Sequence, residues 1–224
     1  MREIVLERIN KSKLIAIVRG IADREQCLRV AGAIYDGGID LIEVTFNQSA
    51  PDRFSDTTNA IAAINEHLGD KVCVGAGTVM MPELVEMAAG AGAKYIIAPD
   101  ANAAVIQKTR ELGLVSIPGV LTPTEIAQAM EAGADYAKLF PAGLFGSGYI
   151  KALKAPLSHV KMLAVGGVDA GNIPEFLACG CDGFGIGGNL VNKAWIDAGQ
   201  YDKITEVARS LRNAVNQSGG KDNA

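Results

Sequence analysis

One phrase returns five times along this chain and limits what it can fold into. A segment at helical spacing ends in a residue followed by glycine, and a short apolar run comes directly after it. The phrase occupies residues 37–44, 91–97, 112–117, 132–139 and 179–186. Glycine just past a helix end accommodates the left-handed turn that stops the helix, and the apolar run that follows reads as a buried strand. Residues 14–18, 72–75 and 162–165 carry the same kind of run and bring the strand candidates to eight. Successive starts lie roughly 20 to 30 residues apart, the length of one strand-plus-helix unit.

The intervening segments are amphipathic, and their starts are legible. Asp23 precedes a face of Leu28, Ala31 and Ile34, and Thr122-Pro123-Thr124-Glu125 is a capping box with proline at the first helical position. Pro82, and Pro174 after Asn172, mark two further starts, and Tyr201, Ile204, Ala208, Leu211 and Val215 form the apolar stripe of a last helix. Eight alternations in one domain-length chain imply either a closed parallel barrel or a doubly wound open sheet. The even count and near-constant period favour the barrel. No Gly-x-Gly-x-x-Gly follows the first strand, as a dinucleotide-binding open sheet would require. The expectation is a single (β/α)8 TIM barrel over residues 1–216 with an N-terminal helix, followed by a flexible tail over 217–224.

Composition narrows the function classes. A net charge of −4 without a block of like charges points away from nucleic acid and from a membrane surface. The N-terminal residues mix charged and apolar side chains, so no secretory signal is expected, and no run approaches the ~18 apolar residues of a membrane span. Cys27, Cys73, Cys179 and Cys181 lack the C-x-x-C spacing of zinc or redox sites, and His67 and His159 are the only histidines. A cytoplasmic protein with free thiols and neither metal nor cofactor is expected.

Two charged residues interrupt strands that should be wholly apolar. Glu43 lies within Leu41-Ile42-Glu43-Val44 on the second strand, and Lys138 within Tyr136-Ala137-Lys138-Leu139 on the sixth. Side chains from alternate strands share a layer inside such a barrel, and catalytic groups sit near the C-terminal ends of its strands. Glu43 and Lys138 are therefore expected to face each other across the mouth. A buried ion pair contributes little net stability and so needs another reason to exist. Burial lowers a lysine's pKa, and the free amine attacks carbonyl carbon to form an imine, with a neighbouring carboxylate moving protons. That carboxylate also raises the lysine pKa, so the sequence leaves the net direction open.

Three more features belong to the same rim. Gly166-Gly167 ends the seventh strand and Gly187-Gly188-Asn189 follows the eighth, where barrels commonly bind phosphate through backbone N–H groups. Gly75-Ala76-Gly77-Thr78 ends the third strand, leaving room at the mouth and a hydroxyl able to bind a carboxylate. Arg19 ends the first strand as a cation suited to a carboxylate or phosphate.

With these residues in view, the chain resembles the KHG/KDPG aldolase family over residues 14–214. The resemblance rests on Ala16-Ile17-Val18-Arg19-Gly20, Ile42-Glu43-Val44-Thr45, Gly75-Ala76-Gly77-Thr78-Val79, Pro118-Gly119-Val120-Leu121-Thr122-Pro123-Thr124-Glu125, Lys138-Leu139-Phe140-Pro141-Ala142 and Val165-Gly166-Gly167-Val168. It implies a metal-independent, Schiff-base aldolase cleaving a 2-keto-3-deoxy-6-phospho sugar acid or 4-hydroxy-2-oxoglutarate to pyruvate and an aldehyde. It also implies a homotrimer acting on a small keto acid. By the same resemblance Lys138 forms the imine, Glu43 shuttles protons, and Arg19, Thr78, Asn47, Pro99 and Phe140 contact the substrate. Gly166, Gly167, Gly187, Gly188 and Asn189 then hold the phosphate.

Three positions depart from the family pattern. Asn47 stands where phosphogluconate-type members carry arginine; with Arg19, this resembles the phosphogalactonate-type members. Ala98-Pro99-Asp100 replaces Ser-Pro-Gly, with Asp100 expected as a helix cap, and Asn189 replaces a serine. Two other readings stay open: a phosphate-binding barrel isomerase or epimerase with Glu43 as base and no covalent step, and a barrel that binds a phosphometabolite without catalysis.

Overall fold

The computed structural model describes residues 1–21 and 23–219. Its sheet is built from β1 (Leu14–Val18), β2 (Leu41–Thr45), β3 (Cys73–Gly77), β4 (Tyr95–Ile97), β5 (Val115–Ile117), β6 (Gly119–Val120), β7 (Ala137–Leu139), β8 (Met162–Val165) and β9 (Gly183–Ile186). All ladders are parallel, and β1 pairs with both β2 and β9. Nine strands appear where eight were expected because Pro118 splits the fifth stave into β5 and β6. Proline has no N–H to give a ladder. Its carbonyl still accepts from Lys138 N at 2.9 Å, and the Ser116 carbonyl accepts from Asp135 N and Tyr136 N, so the fifth and sixth staves remain joined. The barrel closes.

Helices alternate with the strands. They are α1 (Arg2–Ser12), α2 (Arg24–Asp36), α3 (Phe54–Leu68), α4 (Pro82–Gly90), α5 (Ala103–Glu111), α6 (Pro123–Glu131), α7 (Ala142–Lys154), α8 (Ile173–Ala178), α9 (Lys193–Asp197) and α10 (Tyr201–Gly219). The expected starts are present. The Asp23 carboxylate accepts from Gln26 N at 2.7 Å, Thr122 and Glu125 form the capping box, and Pro82 opens α4. Gly38, Gly92, Gly113, Gly133 and Gly180 all have φ between 71° and 103°, the left-handed stops that the recurring phrase requires. One expected cap is corrected. The α5 N-cap is Asn102, whose Oδ1 accepts from Ala104 N, while Asp100 lies two residues upstream with its Oδ1 buried and unpartnered. At the other end α10 continues to Gly219, past the expected boundary at 217, with Ser218 Oγ donating to the Ala214 carbonyl; residues 220–224 of the expected tail lie outside the described residues.

Burial separates two layers. Leu14, Ala16, Val18, Ile42, Val44, Ala137, Leu139, Phe184 and Ile186 point outward and pack under the helices. Ile15, Leu41, Cys73, Tyr95, Tyr136 and Leu163 point inward and fill the barrel, joined from below by Val5 and Ile9 of α1. The N-terminal helix thus stoppers the lower end, where the Tyr136 hydroxyl also donates to Asn10 Oδ1 at 2.8 Å. Strand alternation then determines what sits above this plug: two residues on from Leu41 is Glu43, and two on from Tyr136 is Lys138.

Candidate active site

Glu43 and Lys138 are both buried, at 1% and 7% exposure, and both line one cavity of about 560 Å³ at the C-terminal ends of the strands. Glu43 reaches that position because β3 opposite it is made of small residues. Glu43 is in register with Gly75, and its carboxylate lies over Gly77, where a Cβ would come within 1.7 Å of Oε1. Beneath it the Tyr95 ring crosses Gly75, where a Cβ would come within 2.2 Å of the ring.

The two charged side chains share the cavity without touching. Among the described residues the Lys138 amine makes no ion pair or hydrogen bond, and its Nζ sits 5.3 Å from the centre of the Phe140 ring. Glu43 Oε2 is buried with no partner. Burial dominates both groups. It lowers the Lys138 pKa against the raising effect of Glu43, with Arg19 lowering it further. It raises the Glu43 pKa against the lowering effects of Lys138 and Arg19. The direction left open by the sequence is therefore downward for Lys138, while burial moves the Glu43 pKa upward. This arrangement suits nucleophilic attack on a carbonyl coupled to proton transfer.

The rim adds anion-binding groups. Arg19 lines the cavity and its Nη2 donates to Thr78 Oγ1 at 3.3 Å. Pro99 and Phe140 also line the cavity, with the Phe140 ring close to Gly166. Gly166 and Gly167, at φ 85° and 75°, and Gly187, Gly188 and Asn189 line the same cavity. Among the described residues, no hydrogen bond within the protein uses the backbone N–H of any of these five. Asn189 Nδ2 donates to the Val168 carbonyl at 3.0 Å and so ties the two glycine loops together. Backbone donors of this kind, left without partners among the described residues, are the groups with which loops hold anions.

Asn47 is the one expected site residue that the structure does not bring into this cavity. It is exposed, its Oδ1 accepts from Ser49 N at 3.1 Å, and it borders a smaller hollow beside Arg53 and Asp56. Ile17, Val165 and Val168, which line the cavity, were not singled out from the sequence, although Ile17 and Val165 fall on the inward phase of their strands. Gln48 was also missed; its Nε2 donates to the Thr78 carbonyl at 2.7 Å. A second cavity, of about 590 Å³, lies at the other end, under Met1, Ile4 and Arg8. Arg8 is committed there to Asp40 and to the carbonyls of Asp70 and Lys71, and the hollow has no buried titratable pair.

A model of the KDPG and KHG aldolases matches residues 5–207. The chain belongs to this aldolase family. It is 41% identical over 206 residues to the 2-dehydro-3-deoxy-6-phosphogalactonate aldolase of Escherichia coli strain K12, covering 92% of this chain and 97% of that one. Among solved structures, a native KDPGal structure superposes with a TM-score of 0.82 at 37% identity, covering 92% of this chain and 96% of the other. The KDPG aldolase of Legionella pneumophila, with pyruvate captured at low pH as a covalent carbinolamine intermediate, gives 0.80 at 26% identity, covering 89% and 94%. As a KDPG/KHG aldolase the chain is an enzyme, a carbon–carbon lyase of the Schiff-base class that acts on a small molecule. No helix among the described residues is long and apolar enough to cross a membrane.

Proposed function

We propose that this aldolase cleaves a 2-keto-3-deoxy-6-phospho sugar acid of the galactonate type to pyruvate and glyceraldehyde 3-phosphate, with Lys138 as the imine-forming residue. The observation that carries the reading is the buried, unpaired Lys138 amine in one cavity with Glu43, Arg19 and five backbone N–H groups that no hydrogen bond among the described residues uses. A substrate with a carboxylate at one end and a phosphate at the other matches these groups, with its C2 carbonyl at the amine.

In this reading the Lys138 amine attacks C2 and forms a carbinolamine, which loses water to give the protonated imine. The C3–C4 electrons then flow to the imine nitrogen, the C4 hydroxyl loses its proton through Glu43 or a water beside it, and the aldehyde departs. Glu43 returns a proton to C3 of the enamine, and hydrolysis releases pyruvate. Thr78 and Arg19 hold the pyruvyl carboxylate, Pro99 and Phe140 shape the aldehyde side, and the two glycine loops with Asn189 hold the phosphate. Arg19 in the cavity and Asn47 outside it favour the galactonate type over the gluconate type, as does the likeness to the Escherichia coli phosphogalactonate aldolase. Turnover of 4-hydroxy-2-oxoglutarate to pyruvate and glyoxylate uses the same imine without the phosphate contacts.

A homotrimer in the cytoplasm completes the proposal. Four free thiols fit a reducing compartment, and the trimer follows the family resemblance. A lactate-dehydrogenase-coupled assay over a panel of keto-deoxy acids tests the substrate assignment. The phosphogalactonate-type substrate is expected to give the highest kcat/KM. A preference for the phosphogluconate epimer would overturn that assignment, and no pyruvate release from any member would favour an isomerase or a binding protein.

A further inference from the structure

Thr78 is a β-branched residue at φ 56°, a left-handed conformation that such side chains rarely adopt, and it persists only where the surroundings over-determine it. The ladder fixes its neighbours: the Gly77 carbonyl accepts from Phe46 N at 2.9 Å and Val79 N donates to the Ile97 carbonyl at 3.2 Å. Among the described residues the carbonyl of Thr78 itself takes no backbone donor outside the regular ladders and accepts Gln48 Nε2 at 2.7 Å. With the backbone held this way, the Thr78 hydroxyl faces the cavity and receives Arg19 Nη2 at 3.3 Å. Gln48 is half-buried and does not line that cavity, so it has no direct contact with a ligand there.

We infer that Gln48 is a positioning residue for carboxylate recognition: its amide clamps the Thr78 carbonyl, holding the left-handed turn that places the Thr78 hydroxyl and Arg19 side by side. This inference rests on the proposed role of Thr78 as a carboxylate ligand. The subsite holds the carboxylate in the bound keto acid and throughout the reaction, so its loss is expected to weaken binding more than turnover.

The test replaces Gln48 with Met, which keeps length and bulk but removes the donor, and with Leu as a second donor-free variant. For variants whose thermal unfolding matches that of the parent, KM, and the pyruvate concentration giving half-maximal borohydride trapping, are expected to rise about three- to tenfold, while kcat changes less. In a Thr78→Gly background, where the turn needs no clamp, Gln48→Met is expected to cause no further rise. An unchanged KM, a loss confined to kcat, or an undiminished effect in the glycine background would overturn the inference. Thr78→Ala separates the two levels. If it raises KM while both Gln48 variants do not, only the clamp fails; if it leaves KM unchanged, the carboxylate role of Thr78 fails and the clamp with it.

Discussion

At the scale of single residues, the site depends on a lysine and a carboxylate that burial drives toward neutrality while their attraction opposes it. The Lys138 pKa lies below 10.5 and the Glu43 pKa above 4.5, and desolvation is the first cause of each. Free amine at Lys138 is lost as pH falls through its lowered pKa, so imine formation is expected to weaken on the acid side. Glu43→Gln removes the one neighbour that raises the lysine pKa. The pH midpoint of borohydride trapping should therefore move down, while turnover falls by roughly a hundredfold or more through loss of proton transfer. A midpoint that moves up, measured with turnover on the same preparation, would contradict the raising effect assigned to Glu43, and unchanged turnover would make Glu43 structural.

At the scale of elements, β3 decides where Glu43 can sit. Gly77 has an ordinary φ, so alanine there meets no backbone strain, but its Cβ would occupy the space of the Glu43 carboxylate. At Gly75 the added methyl would meet the Tyr95 ring instead. Gly77→Ala is expected to cut kcat severely at modest cost in stability, whereas Gly75→Ala should lower the unfolding free energy by about 1–3 kcal/mol through overpacking of the barrel interior. Paired kinetics and thermal unfolding of the two variants check this, and equal losses of stability with no difference in rate would contradict it.

Much of this was legible from the order of residues. Glycine recurring just past five helices, apolar runs at a constant interval and two charges on the inward phase of even-numbered staves led to the barrel and to the pairing of Glu43 with Lys138 in one cavity. Three details were not legible. Pro118 splits a stave without ending it, because its carbonyl still joins the ladder. Asp100 looked like a cap, but Asn102, two residues closer to α5, takes that role. Gln48 carries no pattern at all, since its meaning lies in a bond to a carbonyl 30 residues away.

At the scale of the whole molecule, Glu43 and Lys138 carry the desolvation cost of two buried ionisable groups. Between the folded and unfolded pKa values of Lys138 the unfolded chain binds more protons, so this residue's contribution to stability falls as pH drops through that interval. For Glu43 the folded chain binds more protons, and its contribution is lost as pH rises from 4.5 through the folded value. Replacing both, as Glu43→Leu with Lys138→Met, should leave an inactive barrel more stable by about 1–4 kcal/mol. Denaturant unfolding near neutral pH checks this, and a clear loss of stability would mean that the pair holds the fold together.

The most direct measurement of the central claim is peptide mass mapping after incubation with pyruvate and borohydride. A reduced pyruvyl adduct is expected on the peptide carrying Lys138, and none in Lys138→Ala, which should fold normally and release no pyruvate. Folded parent protein with no adduct at residue 138, or an adduct that survives Lys138→Ala, would contradict the account.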